Sequence, residues 1–318
     1  MTTTLRWITP ACPLCGAHES EEVFTHENTL FGAGVRATMA RCACGMLLTS
    51  PRPADECLGA LYDDDSYYTH AAKTGARARM RRRLRAAQLR GVGSWARRAV
   101  ERATGRRRYA MRWAPGAFTL PRGARFLDFG CGGGQNLELA AALGMDAMGV
   151  EPDPKARAAA GARGCRCVTS VDDTPDGWRA DRLLLSHVLE HLPEPVATLR
   201  RLAGVSRPGA RWLIRVPNAA SWQAEACGAF WIGYDMPRHL WHFTGETLRR
   251  TLASAGLDVT EIRTVELAEF FDESVAQAHK AGAPAPSSRE PARPLERAGR
   301  GAELLAIART HAHRGGTG

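Results

Sequence analysis

The fold of this chain is decided by RFLDFGCGGGQNL, residues 125–137. A short apolar run, Phe126 to Phe129, breaks into glycines and is followed by a helical pattern from Leu137. This order predicts a strand, a tight glycine loop and the beginning of a helix. Glycines permit positive φ and the close approach of a ligand, and the first amides of a helix are unpaired donors. The loop therefore predicts a site for a nucleotide-like ligand.

The spacing of the glycines separates the classes of nucleotide-binding loop. A dinucleotide fold needs G-x-G-x-x-G, but Gly130-x-Gly132 is followed by Gln135, so the third glycine is missing. No Lys-Ser/Thr pair follows, which excludes a P-loop. The string instead spells D-x-G-x-G-x-G from Asp128 to Gly134. It resembles the S-adenosylmethionine (SAM) loop of class I methyltransferases, where the strand-end acid and the loop hold the amino-acid part of the cofactor.

A second acid is expected at the end of the next strand, where this resemblance implies that it takes the ribose hydroxyls. After one helix, Met148-Gly149-Val150 ends in Glu151. We therefore expect the loop to bind SAM. The predicted cofactor-binding residues are Asp128, Gly130, Cys131, Gly132, Gly134, Glu151 and, from a later loop, His187.

Length and composition are those of an ordinary globular protein. The 318 residues suit one large domain plus a smaller one. No apolar run approaches a membrane span, and the first residues lack the apolar core of a secretory signal. Nine cysteines without such a signal favour thiols or metal ligands over disulfides. We expect a cytoplasmic protein with no membrane partner, and the oligomeric state stays open.

The formal charge of +10 is concentrated in one segment. Between Lys73 and Arg125 there are 17 Lys and Arg residues against one acid, Glu101, and the rest of the chain is acidic. A uniformly basic surface would favour nucleic acid more strongly. Segment 73–112 instead predicts amphipathic helices with a charged outer face. Binding to an acidic or nucleic-acid partner is kept as the alternative.

The N-terminal part predicts a small separate unit with a zinc site. Cys12-Pro13-Leu14-Cys15-Gly16 forms one knuckle, and Cys42-Ala43-Cys44-Gly45 supplies a second pair. Four thiolates so distributed can close a tetrahedral structural site. The second pair is one residue shorter than usual, so His18 or His26 could replace one ligand, and a ribbon without metal is the alternative. The predicted ligands are Cys12, Cys15, Cys42 and Cys44.

From Arg125 onward, strand and helix patterns alternate, which predicts a Rossmann-like, doubly wound α/β sheet. The last strand is expected over Glu303–Arg309, after a Pro- and Ala-rich stretch at 281–300 that predicts a flexible loop. The predicted divisions are a zinc-ribbon-like unit at 10–53, an Arg-rich helical connector or lid at 54–122, the SAM-binding domain at 123–310 and a disordered tail at 311–318.

Further strings resemble a bacterial family of class I SAM-dependent methyltransferases in which a zinc-ribbon-like unit precedes the catalytic domain. They are CPLCG from Cys12, SPRP from Ser50, the pair Tyr67-Tyr68, LDFGCGGG from Leu127, HVLEHLPEP from His187, RPGARWLIRVPN from Arg207 and PRHLWHFT from Pro237. The resemblance covers about residues 10–68 and 123–265. It implies O-, C- or N-methylation of a small-molecule acceptor such as a metabolite, sugar, quinone precursor or natural product. The C-x-C pair, segment 73–112 and the stretch 281–300 depart from the family pattern.

Methyl transfer from a sulfonium is an in-line displacement, so catalysis depends on positioning and, for a weakly acidic acceptor, on a general base. Histidine suits that role near neutral pH, with Glu190 or Asp235 as the orienting acid. Aromatic residues over 230–243 predict either an acceptor pocket or a hydrophobic seal on the sheet. The predicted catalytic residues are His191, His239, His242 and Tyr68.

The alternative function is an RNA- or nucleic-acid-binding protein, or an RNA methyltransferase, in which the ribbon and the Arg-rich helices grip phosphate. The chain has neither an Asn/Asp-Pro-Pro-Tyr/Phe string nor a Pro-Cys pair. These gaps argue against methylation of exocyclic amines on DNA bases and of cytosine C5. A steep salt dependence of binding would favour the alternative.

Overall fold

The computed structural model describes residues 5–28, 35–62, 121–288, 290 and 292–311. The predicted catalytic Tyr68, the Arg-rich segment 73–112 and the predicted tail from 312 onward lie outside the described residues. Within the described ranges, none of the helices has the length and apolar character needed to cross a membrane.

Strands and helices alternate from Arg125 onward, as the sequence predicts. The strands are β1 (Trp7–Ile8), β2 (Glu21–Asn28), β3 (Val35–Arg41), β4 (Leu47–Thr49), β5 (Arg52–Pro53), β6 (Arg125–Phe129), β7 (Asp146–Val150), β8 (Arg166–Val168), β9 (Ala180–Ser186), β10 (Ser206–Pro217), β11 (Trp241–His242), β12 (Leu257–Val265) and β13 (Glu303–Thr310). The α-helices are α1 (Gln135–Ala142), α2 (Pro154–Gly161), α3 (Pro195–Gly204), α4 (Trp222–Cys227), α5 (Gly245–Ser254), α6 (Ala268–Lys280) and α7 (Ala292–Arg297).

The largest sheet has seven strands in the order β12–β13–β10–β9–β6–β7–β8. Strand β6 pairs in parallel with β7 and β9, and β7 pairs in parallel with β8. Strands β12 and β13 form an antiparallel pair. Leu183, Leu184 and Leu185 of the inner strand β9 are buried, as expected for a strand covered on both faces, and Asp128 near the end of β6 is the buried acid among the inner strands. The predicted Rossmann-like α/β class is confirmed.

The N-terminal strands form a second sheet in the order β11–β4–β3–β2. Its strand β11 comes from far along the chain and pairs antiparallel with β4, so that Trp241 lies opposite Leu48. Such a small ribbon has little core of its own. Its apolar residues Ala37 and Met39 are instead buried in one cluster with Trp231. The ribbon is thus completed by residues that the sequence does not place beside it.

By its internal contacts the chain divides into two compact units. Unit 1 contains the described residues within 1–64, 186–201 and 214–311. Unit 2 contains those within 65–185 and 202–213. The sequence-based boundaries at 10–53, 54–122 and 123–310 stay a prediction.

Two local predictions are wrong. Stretch 281–300 is not one loop, because α7 forms within it. The buried Leu295 anchors this short helix, and the Glu296 carboxylate accepts a hydrogen bond of 2.9 Å from the Glu266 amide. Strand β10 begins at Ser206 rather than Arg211 and runs through the expected Pro208-Gly209 turn. In both places tertiary contacts override a local preference that Pro and Gly express in the sequence.

Candidate functional site

The predicted SAM loop lies in unit 2, between β6 and α1. Gly130, Gly132 and Gly134 have φ values of 70°, 51° and 77°, which a side chain would disfavour. Gly134 is also the N-cap residue of α1, and no side chain caps that end. The first amides of α1 are therefore available to a ligand. The predicted strand, glycine loop and helix are all present.

Asp128 lies at the end of β6 and is 1% exposed. Neither of its carboxylate oxygens has a hydrogen-bond partner among the described residues. Burial raises the pKa of Asp128 to about 8, and the charge of Glu151 adds to the effect, against the pull of the Asn136 side chain. A buried carboxylate with so little hydrogen bonding from the protein is costly unless a ligand supplies the missing donors. An ammonium group, such as the one SAM carries, fits this position.

Glu151 holds the loop from the next strand. Its carboxylate accepts hydrogen bonds from the Gly132 amide at 2.8 Å and from the Asp153 amide at 3.0 Å. Burial raises the pKa of this carboxyl, and the two amide bonds oppose that shift. Each oxygen keeps a lone pair that can accept a hydroxyl. The residues present therefore fit the SAM cofactor that the sequence predicts.

The four predicted zinc ligands come together in unit 1. The sulfur of Cys12 lies 3.4 Å from that of Cys44, and the sulfur of Cys15 lies 3.4 Å from that of Cys42. All four sulfurs lie within 4.8 Å of one another. The Ala17 amide lowers the pKa of Cys15 to about 7, while burial raises the pKa of Cys12. The shortened C-x-C pair does not prevent a four-thiolate cluster, which fits zinc.

Neither histidine considered as a substitute ligand belongs to the cysteine cluster. The His18 ring lies 3.4 Å from the Thr9 carbonyl oxygen. The His26 ring instead packs edge-on against Phe230, with a centroid distance of 4.8 Å. The cysteines alone therefore supply the donor set.

A second cluster in unit 1 contains Glu190, His191 and His239, which each offer a donor atom within 4.8 Å of the others. We call it the histidine cluster. Glu190 is 1% exposed, and its carboxylate lies 4.0 Å from Nε2 of His239. The two imidazole rings meet edge to face at a centroid distance of 4.5 Å. Such a set can share a proton or accept a cation.

Both cluster histidines contact a carbonyl oxygen, and for His239 this contact indicates the tautomer. Nδ1 of His239 lies 2.9 Å from the Gly233 carbonyl, and Nδ1 of His191 lies 3.1 Å from the Arg238 carbonyl. Because a carbonyl only accepts, Nδ1 of His239 carries the proton and its Nε2 keeps a lone pair, whereas Nδ1 of His191 also lies 2.8 Å from the Tyr62 hydroxyl, which can itself donate. Burial lowers the pKa of both rings to about 4, so both are neutral near pH 7.

His187 is held differently, between two buried carboxylates. Its Nε2 lies 2.8 Å from Glu303 and its Nδ1 lies 3.5 Å from Glu190. Burial lowers the pKa of His187, but the two carboxylates outweigh it and raise the pKa to about 9. Arg215 also binds Glu303, at 2.6 Å. His187 is therefore cationic near neutral pH, and its predicted part in cofactor binding stays a prediction.

His242 is tied to the ribbon. The Thr49 hydroxyl donates to the His239 carbonyl at 2.7 Å, so Nε2 of His242, 3.1 Å away, donates to the Thr49 oxygen. His242 is 3% exposed and lies in β11, beside β4. Trp231, Trp241 and Phe243 are each at most 2% exposed. Trp241 and Phe243 therefore belong to the closed interior, whereas Trp231 also borders a small cleft.

Some of the residues in this network were not found from the sequence. The hydroxyl of Tyr62 lies 2.8 Å from Nδ1 of His191, although 129 positions separate the two residues. Glu303 and Arg215 were likewise seen only as parts of strands. The only available signal was Glu303, an acid at the start of the apolar strand β13, because a buried charge needs a partner.

A small cleft in unit 1 is lined by His26, Trp231, Tyr234, Asp235 and Gln277, among others. Its walls combine aromatic rings with a carboxylate and an amide. Burial raises the pKa of Asp235, against the two hydrogen bonds of 2.9 and 2.8 Å that Arg238 donates to it.

Comparison with known proteins agrees with the SAM-dependent class predicted from the glycine loop. A family model described as "Methyltransferase domain" matches residues 101–262. The ubiquinone biosynthesis O-methyltransferase of Cereibacter sphaeroides is 33% identical over 151 residues, which are 43% of this chain and 61% of that protein. The protein of the same name from Bradyrhizobium sp. is 31% identical over 165 residues, 47% of this chain and 64% of that protein.

The matches to these two curated relatives thus span less than two thirds of their length. Among solved structures, a SAM-dependent methyltransferase from Archaeoglobus fulgidus is 20% identical, with 70% of this chain and 96% of that chain covered and a TM-score of 0.43. The family model covers slightly more than half of the 318 residues and includes the whole glycine loop. The chain belongs to the methyltransferase-domain family, as its SAM-type loop predicts.

Proposed function

We propose that this protein transfers a methyl group from SAM to a small-molecule acceptor. The observation that carries the proposal is Asp128, a buried acid with only the Asn136 side chain to oppose its protonation, beside three glycines of positive φ. A bound cofactor supplies an electrophilic sulfonium methyl. The chain's own task is then to hold the cofactor with Asp128, Glu151 and the loop amides.

The named relatives methylate an oxygen in ubiquinone biosynthesis, so a hydroxylated aromatic or quinone-like acceptor is the class to test first. Such a hydroxyl must lose its proton as it attacks the methyl carbon. We assign that role to His239, because its Nδ1 proton is committed to the Gly233 carbonyl and its Nε2 is free of a proton. Glu190, 4.0 Å away, stabilises the imidazolium that forms.

The test is calorimetric titration with SAM and, separately, with NAD, on the wild type and on Asp128→Ala and Glu151→Ala. Micromolar SAM binding that both substitutions remove, with no NAD binding, supports the proposal. Asp153→Ala is the matched control, since Asp153 caps α2 with its side chain. A folded wild-type protein that does not bind SAM contradicts it.

Nucleic-acid binding is the second candidate, favoured by the 17 Lys and Arg residues between Lys73 and Arg125. Titration with a short RNA over a salt series decides it, because phosphate contacts make affinity fall steeply with salt.

The nine cysteines, all free in the structure, fit a reducing cytoplasmic environment.

A further inference from the structure

Two cysteines meet beside the SAM loop without a part in the proposed reaction. The sulfur of Cys131, in the loop after β6, lies 3.5 Å from the sulfur of Cys167 on β8. We call this pair the loop dithiol. Strand β7 lies between β6 and β8, so the contact spans a whole strand.

A glycine in β7 makes this contact fit. Gly149 lies opposite Cys167 in the β7–β8 register. A Cβ atom at Gly149 would lie 2.4 Å from the Cys131 sulfur and 3.0 Å from its Cβ. Any larger residue at position 149 would displace Cys131. The missing side chain therefore leaves the space in which the two sulfurs meet.

The two thiols differ in exposure and in acidity. Cys131 is buried, whereas Cys167 is only half-buried. A hydrogen bond from Cys131 lowers the pKa of Cys167, against the effect of burial. The same contact and burial raise the pKa of Cys131. Accessible thiolates next to a second thiol are the ones that oxidants convert to disulfides.

We propose that Cys131 and Cys167 form a peroxide-oxidisable pair, and that their disulfide weakens cofactor binding by the adjacent loop. The second part rests on the proposed function, because it takes the loop to be the SAM site.

The chemistry needs hydrogen peroxide as the oxidant. The Cys167 thiolate attacks one peroxide oxygen, the O–O bond breaks, and one proton is taken up to give a sulfenic acid and water. The Cys131 sulfur then attacks the sulfenic sulfur. An S–S bond forms, the S–O bond breaks, and hydroxide leaves with the Cys131 proton as a second water. Two electrons pass from the thiols to peroxide, and a dithiol reductant restores both.

The effect on the loop follows from its hydrogen bonds. The sulfurs must come closer than their 3.5 Å contact, which draws Cys131 toward β8. Its neighbour Gly132 donates its amide to Glu151 at 2.8 Å. Moving Cys131 therefore disturbs both the loop amides and the carboxylate that we assign to the cofactor.

The experiment oxidises the reduced full-length protein with equimolar hydrogen peroxide, alkylates the remaining thiols and maps disulfides by peptide mass spectrometry. SAM affinity is measured by calorimetry before oxidation, after it, and after dithiothreitol. We expect a Cys131–Cys167 linked peptide, a loss of SAM affinity of at least tenfold, and recovery on reduction.

Cys167→Ser should bind SAM like the reduced wild type and keep its affinity after peroxide, with Cys167→Ala as a second variant if it misfolds. Cys165→Ser is the matched control and should respond like the wild type, since its sulfur contacts the Gly134 carbonyl instead. Absence of the linked peptide, or an equal loss in Cys167→Ser, overturns the proposal. If the reduced wild type does not bind SAM, the proposed function fails, and so does the claim that the disulfide weakens cofactor binding. The linked peptide then decides by itself whether Cys131 and Cys167 form a disulfide.

Discussion

The SAM loop and the histidine cluster are built in opposite ways. The loop takes its residues from one continuous stretch, 128–134, and one acid at the end of the next strand. The histidine cluster joins the neighbours Glu190 and His191 to His239, which lies far along the chain, and His191 is held by Tyr62, which is also distant in the chain. Local backbone geometry makes the first site, and only packing makes the second. A site of the first kind can be recognised from a motif, and one of the second kind cannot.

The largest effect is expected at the other site built from motifs, the cysteine cluster. Cys42→Ser removes one of four thiolates, so the zinc content should fall from one ion per chain to well below one. Structural zinc contributes on the order of 10 kcal/mol to small ribbons, so the N-terminal strands should lose protection from hydrogen exchange. Zinc analysis by mass spectrometry checks this, with Cys57→Ser as control. Equal zinc content in both variants would contradict it.

A substitution in the histidine cluster should affect turnover rather than cofactor binding. His239→Gln removes the proposed base, so kcat should fall by about 10²–10⁴-fold at an unchanged Kd for SAM. His279→Gln is the control, because His279 is exposed on α6. Steady-state kinetics with a methyl acceptor measure the change. A KM effect with normal kcat would instead assign His239 to acceptor binding.

A substitution in the loop should affect stability. A Cβ atom added at Gly134 would lie 2.9 Å from the Cβ of Ala160. The new residue would also have to adopt the backbone φ of 77° that Gly134 has. Gly134→Ala should therefore destabilise the fold by about 2–4 kcal/mol, from backbone strain and overpacking together. Gly164 has a φ of 76°, but a Cβ added there meets nothing within 4 Å. The stability loss of Gly164→Ala therefore measures the cost of backbone strain alone. Urea unfolding compares the two, and equal losses would remove the packing argument.

Cofactor binding should release a proton from the loop. The pKa of Asp128 is raised by burial to about 8, so the free protein carries this acid largely protonated at pH 7. An ammonium partner favours the carboxylate, and nearly one proton should leave on binding. Calorimetry in two buffers of different ionisation enthalpy counts the protons. The count should approach zero at pH 9, where the free carboxyl is already ionised, and a count near zero at pH 7 would contradict the prediction.

The smallest effect concerns His187. Its folded pKa of about 9 lies above the ordinary 6.5, so its ion pairs stabilise the fold fully below pH 6.5 and lose this effect as pH rises through 9. His187→Asn, which tolerates the observed φ of 56°, should be less stable than the wild type at pH 6. The gap should narrow by pH 10. A gap that is constant with pH would show that the loss is one of packing only.

Strand and helix positions followed from periodicity wherever the local preference agreed with the tertiary contacts. Strand β6, the loop, α1 and β7 are of this kind. The prediction failed at α7 and at the start of β10, because the Leu295 side chain and the strand pairing that stabilise them are distant in sequence. For the same reason, no pattern in the sequence predicted the hydrogen bonds between His242 and Thr49 and between His191 and Tyr62.

The sequence by itself determined the fold class, the cofactor loop and the family, because glycine spacing and strand-end acids act over a few neighbouring residues. The sequence also predicted that the four cysteines form one metal site. Only the tertiary structure decided which histidines face an acid, which one is tied to the ribbon, and that Cys131 and Cys167 meet over Gly149. Those contacts join residues whose separation along the chain carries no local pattern, so packing alone assembles them.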